Sequence, residues 1–396
     1  MMTERWLSMS DKEIAFPQKP RKGRWLGRIL ALLLTAAVVL GIVACMLFPD
    51  ALNLDALHRW VKYLNVKTDG DGGTYSFDSH NSNRYASFDD GLAIASVGGL
   101  SVHTSDGREA IVSQGQLSLP VLQTGKDLAM TYDAGGATLL AVHHRNGEVL
   151  RITSEKAILD ADISAGDDIC YASSASGYKS VLTVYNDRQE RIYRWLSSST
   201  YMPLCAISDN GVQLAAIGLD QKNGTFESTL NLFRTHFDQI ERTVPLGNEL
   251  IYDVDYTADD VIVVIGETTV RFFDSAGDIL GNYGYGDSFL KDFDLGGNGF
   301  LTLSTNMYRA GNRYSIVTLD LHGRELASVY IGQEILDLSA CGKYVAVLTM
   351  DGLTIYNRLL EEYAHTEDVG TATSVVMCED GTALLLGGGT GKIYIP

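Results

Sequence analysis

The chain has 396 residues, 45% hydrophobic and 20% charged, a composition that builds a large core and not a disordered polymer. Its formal net charge is −18, unevenly placed: seven Lys/Arg against three Asp/Glu before residue 49 leave −22 on the remainder. So acidic a body lacks the electrostatic footprint of a nucleic-acid binder and is repelled by an anionic bilayer surface, which excludes nucleic acid as a partner.

Residues 1–24 combine Pro17 and Pro20 with Lys and Arg and have no long periodic stretch, so a disordered cytoplasmic tail is expected there. Residues 25–48 come next as an expected transmembrane helix. Its uncharged run, Ile29–Phe48, has 20 residues, which at about 1.5 Å per residue matches the roughly 30 Å of a bilayer's hydrocarbon. A lipid-spanning segment must satisfy its backbone internally, hence a helix. Lys19, Arg21, Lys22, Arg24 and Arg28 crowd its N-terminal side while Pro49, Asp50 and Asp55 lie beyond it, which places residues 50–396 outside the cell as a single-pass membrane protein. Two rivals stand: a cleaved signal peptide, and a lipoprotein anchored at Cys45 after the lipobox-like Ile42-Val43-Ala44-Cys45.

Residues 49–73 read as a spacer and hinge. Leu54, Leu57, Trp60, Val61 and Leu64 recur at helical spacing. This helix either packs on the next domain or lays Trp60, Arg59 and Lys62 in the headgroup layer. Thr68–Gly73 lacks the ligand spacing of a calcium loop and reads as a linker.

From residue 74 to 396 a unit of four short β-branched or aromatic runs recurs, cleanest in Ile335–Tyr363. Its first turns are assigned to Gly91, Gly135, Asp168, Gly211, Asp260, Gly299, Gly342 and Gly381, about 41 residues apart on average, the period of a propeller blade. A later hairpin of the form apolar-x-x-x-x-Gly repeats as Val102…Gly107, Val142…Gly147, Phe272…Gly277 and Thr318…Gly323. The expected fold is all-β: an eight-bladed β-propeller preceded by one transmembrane helix. Seven blades are the alternative, because one interval is compressed. The last unit holds only three strands, and Thr74–Phe77 is expected to complete it and close the ring.

Several inner strands repeat an acidic pair: Asp160 and Asp162, Asp253 and Asp255, Asp292 and Asp294, and Asp337 followed by Ser339. Residues at i and i+2 of a strand share a face, so these aspartates are expected around the central channel. They are the candidate ligand-binding residues, for a cation or polar ligand. The competing reading has each carboxylate accepting backbone N–H groups of an adjacent blade or turn. Of the eight histidines, adjacent His143 and His144 should point to opposite faces, and His103, His143, His236 and His322 fall beside the later hairpins; surface positions are expected and metal ligands are not. Cys170 with Cys205, and Cys341 with Cys378, fall in adjacent units, as cross-blade bridges or as small apolar thiols. Asn223-Gly224-Thr225 matches a glycosylation sequon. No nucleophile elbow, phosphate loop, dinucleotide fingerprint or His-Glu-x-x-His occurs, so no catalytic residue and no cofactor is assigned.

With basic leader, apolar helix, spacer and hairpins in place, residues 25–396 resemble a domain-of-unknown-function family of membrane-anchored propeller proteins from Gram-positive bacteria. The turns Ile207-Ser208-Asp209-Asn210-Gly211 and Cys378-Glu379-Asp380-Gly381 are WD40-like, though the Trp-Asp dipeptide is absent. Quinone-dependent dehydrogenases and outer-membrane assembly lipoproteins also use eight blades. Only Trp60 and Trp195 lie beyond the anchor region and no adjacent cysteine pair exists, which counts against a quinone enzyme. The resemblance implies an extracytoplasmic location and no established activity. The expected function is a non-enzymatic binding or assembly scaffold for protein or envelope polymer, with an extracellular hydrolase or lyase acting on sugar or lactone as the alternative.

Overall fold

A computed structural model describes Leu32, Leu33, Thr35, Arg59 and residues 75–222, 224–257 and 260–396. The chain divides into two compact units, Met1–Leu57 and His58–Pro396. In the first, Leu32, Leu33 and Thr35 are helical. The tail, the rest of Ile29–Phe48, Cys45, the spacer other than Arg59, the hinge Thr68–Gly73 and Asn223 lie outside the described residues. Among the described residues no helix is long and apolar enough to cross a membrane.

The second unit is built of antiparallel sheets. Among the described residues, thirty-two strands fall into eight four-stranded sheets, each a meander of consecutive strands except the last. These are eight blades, not seven. The compressed interval has a simple cause: Gly135 belongs to the second hairpin of its blade, between Leu128–Asp133 and Thr138–His143, whereas the first turn there spans residues 125–127. The other seven first-turn assignments fall where the first strand of a blade turns into the second, Gly91 itself opening the second strand.

Position within a blade explains the sequence pattern. Second strands are covered on both sides and read as continuous apolar or small runs: Ile262–Gly266 and Tyr344–Thr349 are buried at every residue. Outer strands such as Arg191–Ser197 alternate exposed and buried positions. The hydrophobic core is therefore not one mass. Each of eight clusters joins one blade to the next, from Phe88, Val102 and Ala129 between the first two blades to Leu384, Tyr75 and Leu92 between the last and the first.

Ring closure joins strands far apart in sequence. Strand β1 (Tyr75–Ser76) pairs antiparallel with the last strand, Thr390–Tyr394, with Tyr75 opposite Gly391 and Ser76 opposite Thr390. Phe77 N–H extends the ladder to the Gly389 carbonyl at 3.0 Å. The N-terminal strand is the outermost of the blade whose other three strands are C-terminal, and the open edge that three strands would leave is paired.

Arg59, ahead of the ring in sequence, packs against its last two blades. It is helical and 5% exposed, and donates to the Asp380 carbonyl at 2.8 Å and to Tyr363 Oη at 2.5 Å. Its guanidinium carbon lies 5.6 Å from the Tyr363 ring centroid.

Candidate functional site

Three inner strands carry the acidic pairs and a fourth carries Asp337 with Ser339, and all four are bulged at the same place. The register shifts between Ile158 and Asp160, Ile251 and Asp253, Leu290 and Asp292, and Ile335 and Asp337. A bulge adds one residue and re-aims the side chains beyond it. Each aspartate then stands opposite a second-strand residue of its own blade: Asp162 opposite Cys170, Asp255 opposite Val263, Asp294 opposite Thr302.

The inner strands or first turns of all eight blades line one axial chamber of about 860 Å³. Its acids are Asp162, Asp209, Asp253, Asp255, Asp294 and Glu379, and among the described residues no Lys, Arg or His lines it. A neighbouring recess of about 500 Å³ is lined by Asp294, Asp337, Ser339 and Arg84. Of the seven expected residues, Asp162, Asp253, Asp255 and Asp294 therefore share the chamber and Asp294 and Asp337 the recess, while Asp160 and Asp292 line neither.

Hydrogen bonding divides the aspartates further. Asp160 accepts from Cys205 N–H at 2.9 Å and Tyr132 O–H at 2.8 Å, and Asp162 from Ile207 N–H at 2.9 Å. Asp294 accepts from Ala340 N–H at 2.9 Å, and Asp337 from Val375 N–H at 2.8 Å. Ser339 Oγ takes Met377 N–H at 3.1 Å in the same way. Every one of these backbone donors lies on the inner strand of the next blade, so these side chains bridge the blade seams. Among the described residues, Asp253, Asp255 and Asp292 accept only the N–H of the residue next in sequence, Val254, Tyr256 and Phe293.

Burial sets the electrostatics. Desolvation first, then the neighbouring Asp160 carboxylate, pushes Asp253 up to about 8. Asp162 and Asp255 are raised by burial and by acidic neighbours, Asp255 adding to the shift of Asp162 and Asp253 to that of Asp255. Burial lifts Asp337 to about 7 and Asp160 and Asp294 to about 6, their backbone donors pulling the other way. A protonated carboxyl can donate as well as accept a hydrogen bond, so the raised groups, Asp162, Asp253, Asp255 and Asp294, offer both functions to the chamber. Among the described residues no group of three His, Cys, Asp or Glu is arranged to hold a metal ion.

Other expectations need correction. His103 is not a surface residue; it is 2% exposed, with Nε2 3.2 Å from Ser101 Oγ, because the third strand on which it ends faces a blade seam. His143 and His144 do not diverge: their ring centroids are 4.9 Å apart, since His143 ends its strand and His144 already belongs to the turn. His144 Nδ1 sits 2.7 Å from Asp89. Cys170, Cys205, Cys341 and Cys378 form no disulfide, and the Cys170 and Cys205 sulfurs lie 3.6 Å apart inside one seam cluster. Asp209 and Glu379 of the chamber were not among the expected site residues, although both stand in the two WD40-like turns that signal first hairpins.

A family described as a family of unknown function (DUF5711) matches residues 69–368. No curated protein matches the chain. Among solved structures, the C-terminal WD40 domain of Sif2 is similar at 12% identity and a TM-score of 0.56, covering 81% of this chain and 97% of that one. BamB from Moraxella catarrhalis is similar at 14% identity and a TM-score of 0.52, covering 82% and 96%. At such identities the likeness is one of fold.

Proposed function

The chain belongs to the DUF5711 family of unknown function, and from that premise we propose that it is a non-enzymatic binding or assembly scaffold for protein or envelope polymer. In this reading residues 29–48 anchor it in the bilayer as a single-pass protein, and the propeller works on the extracytoplasmic side. The supporting observation is how the inner-strand acids are used. Asp160, Asp162, Asp294 and Asp337 are committed to N–H groups of neighbouring blades, which is the work of a frame, and leave the rims as the surface free for recognition. The test is affinity capture from detergent-solubilised membranes with the full-length chain. Reproducible partners above an empty-matrix control are expected, and recovery of none counts against the reading.

A second reading, an extracellular hydrolase or lyase acting on sugar or lactone, is favoured by one specific observation. Asp253 and Asp255 have no cross-blade donor among the described residues and hold raised pKa values in an open chamber, the condition of a general acid. If it is right, Asp253→Asn and Asp255→Asn abolish turnover of a sugar or lactone that the parent chain consumes.

A further inference from the structure

One end of the sixth blade gathers exposed rings and cations. Phe289, at the start of the inner strand of the sixth blade, is 37% exposed, and Met307 and Tyr308, in the second hairpin of that blade, are 51% and 49% exposed. Arg309 lies over the Phe289 ring with its guanidinium carbon 5.2 Å from the centroid, and Arg313 over the Tyr308 ring at 5.9 Å. Lys291 joins them, its Nζ donating to the Arg309 carbonyl at 2.7 Å. All three cations are exposed, and among the described residues none has a carboxylate within ion-pair distance, on a chain whose net charge is −18. Of the other exposed arginines, Arg242 and Arg324 are each paired with an acid, whereas Arg145, Arg188, Arg191 and Arg194 have no ion pair among the described residues but lie over no aromatic ring.

We infer that this patch of the sixth blade is a docking surface for a protein segment combining acidic and apolar side chains. The inference deepens the scaffold reading and rests on it. Three such cations in an acidic protein are complementary to carboxylates, and an arginine stacked on a ring still presents its in-plane N–H edge for bidentate pairing. Arginine, methionine and aromatics are the residue types enriched at the cores of protein interfaces, where tyrosine and arginine most often carry the binding energy. Two exposed apolar residues of the preceding blade, Leu250 at 43% and Tyr252 at 46%, lie at the same end of their inner strand as Phe289. A purely polar polyanion would leave all of these uncovered, and a nucleic acid would meet the repulsion of the whole body.

The probe is a labelled twelve-residue peptide of alternating Glu and Leu, titrated into the full-length protein by fluorescence anisotropy. Its controls are the Lys/Leu and the Glu/Ser peptides. The Glu/Leu peptide is expected to bind at least tenfold tighter than either control, to weaken with salt, and to lose at least tenfold in Arg309→Glu/Arg313→Glu. Both positions are exposed, so an unchanged thermal melt confirms that the double variant folds. Phe289→Ala, which keeps the charges, is expected to weaken the same peptide several-fold. Equal binding of the controls, or binding indifferent to the double variant, overturns the inference. So does a double variant that changes only binding to phosphatidylglycerol vesicles or only self-association in sedimentation. Captured membrane partners that survive the double variant leave the scaffold reading standing while removing this patch from it.

Discussion

The guanidinium of Arg59 donates a 2.8 Å hydrogen bond to the carbonyl oxygen of Asp380, in the first turn of the last blade. Gly381, next in that turn, has φ +85, and a Cβ there would sit 2.5 Å from Arg59 Nη1. A backbone kink and a missing side chain thus make room for a charge carried in from ahead of the ring. Arg59→Ala removes two hydrogen bonds and a cation–π contact, and should cost about 1–3 kcal/mol in denaturant unfolding. Arg59→Lys should recover only part, because one ammonium cannot reproduce the planar fork. Gly381→Ala should destabilise as well, through both the left-handed φ and the clash. A melt unchanged in all three would show that the contact contributes nothing.

Asp337 is predicted to act as a seam fastener. Asp337→Ala leaves Val375 N–H without its acceptor and should cost about 1–3 kcal/mol, whereas Asp337→Asn keeps an acceptor oxygen and should cost less. Equal effects of the two substitutions in chemical denaturation would contradict the bridge.

Stability should fall as pH rises from about 4 to about 8. Asp253, Asp337, Asp160 and Asp294 hold protons more tightly in the folded chain, at about 8, 7, 6 and 6, than at their ordinary value of 3.8. The folded state therefore binds more protons than the unfolded one across this window, and the protonated-state stability is lost as pH passes the folded values. Asp253→Asn should flatten that slope and raise the melting temperature at pH 8 by about 2 °C or more. A melting temperature that climbs between pH 5 and 8 in the parent, and equally in the variant, would refute the assignment.

Cys170 and Cys205 should resist maleimide in the native protein, because both are buried and burial raises both thiols. Denaturation without reductant should then label Cys170, Cys205, Cys341 and Cys378 alike. A pair that labels only after reduction would reveal a disulfide in their place.

Much of the ring was legible because blade position is written in residue type. The covered second strands gave continuous apolar runs, and turns such as Ser208–Gly211 need Asp, Asn and a left-handed glycine. Gly135 misled because a left-handed glycine serves any hairpin alike. The aspartate pairs were visible as a repeat, but not their partners. Bulges ahead of Asp160, Asp253, Asp292 and Asp337 reset the alternation that a strand pattern assumes, and the cross-blade N–H groups that Asp160 and Asp337 meet lie far along the chain. His103 was misplaced for a related reason: hairpin proximity suggests water, yet the seam reaches the end of its strand. The Phe289, Tyr308, Arg309 and Arg313 patch carries no periodic signal, since it joins a strand start to a hairpin tip in space.

Because Tyr75 finds its partner in Gly391, ribosomal synthesis delivers one half of the fastening long before the other. Until Thr390 and Gly391 emerge, the nascent protein is a row of blades with two raw ends, one offering β1 and the other lacking a cover. A partner, chaperone or neighbouring copy that caps either end during that interval would decide between a circle and an open array, and late nonsense mutations near residue 390 should expose the uncapped end permanently.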